Sequence, residues 1–162
     1  MLARVINPFL APSPLPFRFP NFDAIREEHF QPAFEAGMAE QRAEVDAITA
    51  DPDPPTFENT LVALERSGAI LRRVSAAFFT LVGSCSTPGI RDIEAEVAPR
   101  LTAHADAITL DATLFARIDA LFVRRHELDL DPSRCGCWST GTATPSGPAL
   151  GSVRPSRIGC AR

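Results

Sequence analysis

The chain has no lysine, no tyrosine, a single tryptophan and only three histidines among its 162 residues. Its 16 basic residues are therefore all arginine, against 20 acidic ones, and the formal net charge is −4. That balance excludes the broad basic patch through which proteins hold nucleic-acid phosphates. No apolar run approaches the roughly 20 residues a helix needs to cross a bilayer. The segment from Met1 to Pro20 is apolar, with Arg4 and Arg18 its only charges. Pro8, Pro12, Pro14, Pro16 and Pro20 interrupt it too often for a helical secretory signal. The expectation is a cytoplasmic protein without membrane partners, and the four scattered cysteines agree with it. The lack of lysine beside abundant alanine reflects a GC-rich coding sequence rather than a chemistry.

What is present is ordinary for a globular protein: 45% hydrophobic and 22% charged residues, enough to exclude wholesale disorder. The length suits one domain with a modest core. Residues 1–21 read as an extended Pro-rich arm, with Phe9, Leu10, Leu15, Phe17 and Phe19 available to lie across another surface. From Phe22 the apolar period becomes helical. Phe30, Phe34, Met38, Val45 and Ile48 define a first helix, stopped by Asp51-Pro52-Asp53-Pro54-Pro55. Pro32 is either a first-turn proline or a break between two shorter helices. Thr56 is placed to cap a second long helix carrying Leu61, Leu64, Ile70, Leu71, Val74, Phe78 and Leu81. Gly68 inside that pattern costs about 1 kcal/mol relative to alanine and marks a close helix contact or a bend. Thr87-Pro88 opens a third helix, in which Pro99 predicts a kink, and Asp111 caps a fourth. No segment of this body reads as a strand. The predicted fold is all-α, with long antiparallel helices joined by short turns over residues 22–134.

Residues 135–162 break the pattern. They contain no acidic residue, three of the four cysteines and the only tryptophan, and helical periodicity ceases. Such a composition predicts a disordered tail. A shifted reading frame is the favoured alternative. Taking the third base of each codon with the first two of the next permits Arg-Leu-Leu-Glu-His/Tyr from Cys135 through Thr140, a helix-forming string.

Several short runs, in order, resemble one family. They begin with Asn7-Pro8-Phe9, Pro32-Ala33-Phe34 and Gly37-Met38, and continue through Thr56-Phe57-Glu58-Asn59-Thr60, Ala63-Leu64-Glu65 and Ser67-Gly68. Glu96-Val97-Ala98-Pro99-Arg100-Leu101, Ala103-His104 and Leu114-Phe115-Ala116-Arg117 follow. Together they resemble the amino-terminal region of the thimet oligopeptidase family of zinc metallopeptidases, within it the bacterial peptidyl-dipeptidase branch. The resemblance covers most of residues 7–134. It implies a longer parent in which a helix carries H-E-x-x-H, two histidines binding zinc and the glutamate activating water. It also implies that the amino-terminal helices help wall a channel admitting short, unstructured peptides. His29, His104 and His126 include no pair at i, i+4, so that motif is absent from these 162 residues. The expectation is accordingly an amino-terminal piece, inactive by itself, with no catalytic, cofactor or metal-binding residue assigned. The competing expectation is a stand-alone helical module that binds a peptide or protein.

Individual residues with chemical potential have plainer readings beside the sharp ones. His104 on an apolar stripe is a conceivable metal ligand, but a hydrogen-bonded core or lobe-interface histidine is the better account. His126 follows Arg124-Arg125 at a helix end, where positive charge suits the dipole. Glu27, Glu28, His29, Glu94 and Glu96 read as solvated charges rather than acid–base groups. Cys135 and Cys137, with Cys160, fall one ligand short of a four-ligand structural zinc site. Cys85 stands alone without an evident base.

Overall fold

A computed structural model describes residues 7–125. The cysteines and tryptophan of residues 135–162, and His126, lie outside the described residues. Within them there is no strand, and the fold is all-α. Helix α1 spans Phe30–Ala50, α2 Ala63–Arg66, α3 Ala69–Ser84, α4 Pro88–Thr109 and α5 Ala112–Val123. A π-helical turn, Phe57–Val62, leads into α2.

The helix starts follow from local chemistry. Thr56 Oγ1 accepts the Asn59 N–H at 3.0 Å, and Asn59 Oδ1 accepts the Thr56 N–H at 2.7 Å, a reciprocal cap. Thr87 Oγ1 accepts from the Ile90 N–H, with Pro88 as the first helical residue of α4. Asp111 Oδ1 accepts from both Thr113 and Leu114 N–H groups at the start of α5. Pro32 lies in the first turn of α1 and does not divide it. Pro99 sits inside the single helix α4.

The second helix is not continuous, contrary to the sequence reading. It breaks at Ser67-Gly68, where Gly68 takes a left-handed φ of 68° that strongly favours glycine. Every break leaves backbone groups without helical partners. Here the Glu44 carboxylate accepts the Gly68 N–H at 2.7 Å and Glu40 accepts the Ile70 N–H at 3.0 Å. On the other side, the Arg72 guanidinium donates to the carbonyls of Glu65, Arg66 and Ser67. Two acids of α1 thus cap α3, and one arginine of α3 closes the end of α2.

Helix α1 is the centre of the fold. Contacts of Glu44 with Gly68, Glu40 with Ile70 and Phe30 with Phe78 run in opposite chain directions, so α3 lies antiparallel to α1. Gln31 meets Glu96, Glu35 meets Arg100 and Gln41 meets His104, so α4 runs parallel to α1 and antiparallel to α3. The main core joins Phe30 and Phe34 of α1 to Val74 and Phe78 of α3 and Ile90 and Val97 of α4. Phe78 meets Phe30 and Phe34 edge-on, with centroids 5.0 and 5.3 Å apart, a favoured geometry for aromatic pairs. A smaller core of Val45, Ile48 and Leu114 holds α5 against the far end of α1.

The arm is tied down at its start. Asn7 Nδ2 donates to the His29 carbonyl at 2.7 Å, and Asn7 Oδ1 accepts the Phe9 N–H at 3.0 Å. Phe9 is buried against Phe30, and its carbonyl accepts two bonds from Arg73. Phe9 therefore packs on its own lobe, whereas Leu10, Leu15, Phe17 and Phe19 remain exposed.

Candidate functional site

Two features of the described residues have chemical character: a polar seam between helices, and a cavity beneath the arm. The seam begins at His104 on α4. Its Nε2 lies 2.8 Å from Gln41 Oε1, an arrangement in which the Nε2–H tautomer donates. Gln41 Nε2 donates in turn to Ser67 Oγ at 3.5 Å, and Ser67 Oγ donates to the Leu64 carbonyl at 2.7 Å. The chain of bonds links α4, α1 and the α2–α3 break. Burial, and then the nearby Arg42 guanidinium, hold the His104 pKa below the ordinary value of 6.5. The lowered pKa favours the neutral ring, and His104 acts as a positioning donor, partly buried between α4 and α1 and hydrogen-bonded as expected.

Of the other singled-out residues, His29, Glu27 and Glu96 are engaged structurally, and Glu28 is exposed. His29 is buried, and its Nδ1 accepts the Arg26 N–H at 3.0 Å, while its Nε2 has no hydrogen-bond partner. Glu27 Oε1 accepts from the Thr87 hydroxyl at 2.7 Å, tying the start of α1 to that of α4. Glu96 accepts from Gln31 Nε2 at 2.7 Å and lies 3.7 Å from Arg100. Glu94 is half-buried on α4, and Cys85 is exposed just beyond α3. No group of three or more His, Cys, Asp or Glu residues among those described is arranged to hold a metal ion. His29 and His104 take part in separate hydrogen-bond arrangements, and Glu27 and Glu28 share a surface pocket with Glu35.

The cavity went unnoticed in the sequence because it forms between the arm and α3. Its volume is about 470 Å³. Pro8, Pro12, Pro14, Pro20, Ile25 and Ala76 supply much of its wall, and Arg18, Arg72 and Arg73 also line it. The only hint in the sequence was the density of prolines in the arm, which in the structure is folded by turns at Asn7–Leu10 and Pro16–Arg18 and does not run extended. None of the helices among the described residues is long and apolar enough to cross a membrane.

Comparison with known proteins gives the second kind of evidence. The chain is 41% identical over 126 residues to the dipeptidyl carboxypeptidase of Escherichia coli (strain K12), a match taking in 78% of this chain. It is likewise 41% identical over 125 residues to the dipeptidyl carboxypeptidase of Salmonella typhimurium (strain LT2). Each match spans 18% of the relative's own length. Oligopeptidase A of Salmonella typhimurium is 28% identical over 89 residues, 55% of this chain. No family model matches the chain.

Proposed function

From homology with the dipeptidyl carboxypeptidases, consistent with the amino-terminal region of the thimet oligopeptidase family, we propose that this chain is the helical lobe of an oligopeptide-hydrolysing enzyme. In this reading it shapes the entry for short peptides, and the chemistry resides in sequence beyond it. The observation that carries the proposal is the 41% identity sustained over 126 residues. The seam through His104, Gln41 and Ser67 supports it, because those side chains bond to one another across helices instead of presenting free acid–base groups.

Zinc chemistry would be supplied by an H-E-x-x-H helix elsewhere in such an enzyme. The described residues of this chain do not fit a zinc site, since no suitable ligand cluster exists among them. No catalytic step is assigned to them. The dipeptide-releasing specificity named for the relatives is part of the same proposal.

The test is complementation. The E. coli dipeptidyl carboxypeptidase is produced without the region matching this chain, and the present chain is added as a separate polypeptide. Release of carboxy-terminal dipeptides from a short blocked peptide is expected only in the mixture. Equal activity with and without the added chain would sink the proposal. Sequencing the encoding DNA tests the tail in parallel: a one-base shift after Arg134 should read Arg-Leu-Leu-Glu.

A further inference from the structure

We propose that the cavity between the Pro-rich arm and α3 is a binding site for a small amphipathic carboxylate. The proposal stands on this chain's own side chains and is independent of any peptidase assignment.

Three observations carry it. First, the volume of about 470 Å³ lies within the range of small-molecule sites, which are mostly apolar with a few placed polar groups. The wall has that character, with ring faces of Pro8, Pro12, Pro14 and Pro20 beside Ile25 and Ala76. Second, the charge is of one sign. Arg18, Arg72 and Arg73 all line the cavity, and no aspartate or glutamate does. Arg72 and Arg73 donate only to carbonyl oxygens, of Glu65, Arg66 and Ser67 in one case and of Phe9 in the other. None of the three guanidinium charges is matched by a carboxylate of the described residues, in a molecule whose net charge is −4. An apolar pocket lined by three arginines and no acid, with Arg18 in no ion pair and Arg73 only partly engaged, favours a ligand with one anionic end and an apolar body.

Third, Arg18 is held in an unusual way. Phe17 and Arg18 both have left-handed φ values, 57° and 56°, which cost energy in non-glycine residues. This short turn, Pro16–Arg18, places Arg18 in the cavity lining while Phe17 is fully exposed. Arg73 has a double duty. Its Nε and Nη2 fix the arm through the Phe9 carbonyl, which leaves Nη1 for a ligand oxygen.

Two sources share this chemistry: a medium-chain fatty acid, and the carboxyl end of a short apolar peptide. Isothermal titration calorimetry on the full chain separates them with four probes: decanoate, decanol, acetyl-Ala-Phe acid and acetyl-Ala-Phe amide. Saturable one-to-one binding of at least one acid is expected, with at least tenfold weaker binding of its uncharged counterpart. The tighter of the two acids identifies the source. Arg18→Glu should weaken that acid at least tenfold, and Ala76→Phe should abolish its binding by filling the cavity. Both positions are exposed, and circular dichroism verifies that each variant keeps its helices. Absence of saturable binding by either acid, equal binding of acid and uncharged analogue, or indifference to both substitutions would each overturn the site.

Discussion

Gly37 of α1 lies directly against the backbone of Leu71 in α3: a Cβ on Gly37 would fall 2.8 Å from the Leu71 nitrogen and 2.9 Å from its Cα. Backbone atoms cannot move aside as a flexible side chain does. Gly37→Ala would gain about 1 kcal/mol of helix propensity. Forcing the two helices apart costs typically about 1–3 kcal/mol and disturbs the Phe34–Phe78 contact. The clash is expected to win, giving a lower urea midpoint with an unchanged slope. A variant as stable as the parent would show that α1 and α3 separate freely.

Gly68→Ala discriminates between the sequence reading and the fold. If residue 68 stood inside a continuous helix, alanine would stabilise by about 1 kcal/mol. At a φ of 68°, alanine instead incurs a left-handed penalty of about 1–2 kcal/mol. Its Cβ would also displace the Gln41 amide, 2.7 Å away, from the seam to Ser67 and His104. The expected result is destabilisation in urea unfolding. A gain in stability would restore the unbroken helix.

These two glycines show where sequence was informative. The caps at Thr56, Thr87 and Asp111 were legible because each depends on residues within three positions. So was the core face of α1, whose Phe30, Phe34, Val45 and Ile48 follow helical spacing and are all buried. The break at Gly68 was not legible. It is sustained by Glu40 and Glu44, more than twenty residues earlier, whose charges look like an ordinary solvated helix face until α3 docks there. The arm cavity was hidden for the same reason, because Pro12 and Ala76 meet only in three dimensions. Long-range packing thus decided which polar residues are structural.

Arg117 tests how α5 is held. It is buried, and its Nη1 donates to the Asp51 carbonyl at 2.8 Å, with Asp51 Oδ2 3.5 Å from Nη2. Its Nε has no partner, so part of the gain is offset by an unsatisfied donor. Arg117→Ala removes both the bond to the end of α1 and the packing of the side-chain stem, for an expected loss of about 2 kcal/mol. Arg117→Met keeps most of the stem volume and removes the orphaned donor, so its cost should be smaller. Urea unfolding of both variants decides this. Equal losses would mean that the hydrogen bond, and not packing, secures α5.

The seam at His104 predicts a pH dependence with a definite sign. Because burial and then Arg42 lower its folded pKa, the unfolded chain binds the proton more readily than the folded one. Stability contributed through His104 therefore rises with pH from the lowered folded value up to the unfolded value near 6.5, and is level above it. Acidification through that window protonates the ring beside Arg42 and opposes the half-buried arrangement with Gln41. His104→Gln, which cannot titrate, should flatten this part of the stability–pH curve. The measurement is the difference between parent and variant urea midpoints from pH 5 to 8. A difference that stays constant across this range would show that His104 titrates alike in folded and unfolded chains. The hydrogen bond to Gln41 would then be indifferent to the ring's charge, and the seam would brace the three helices equally well in acid.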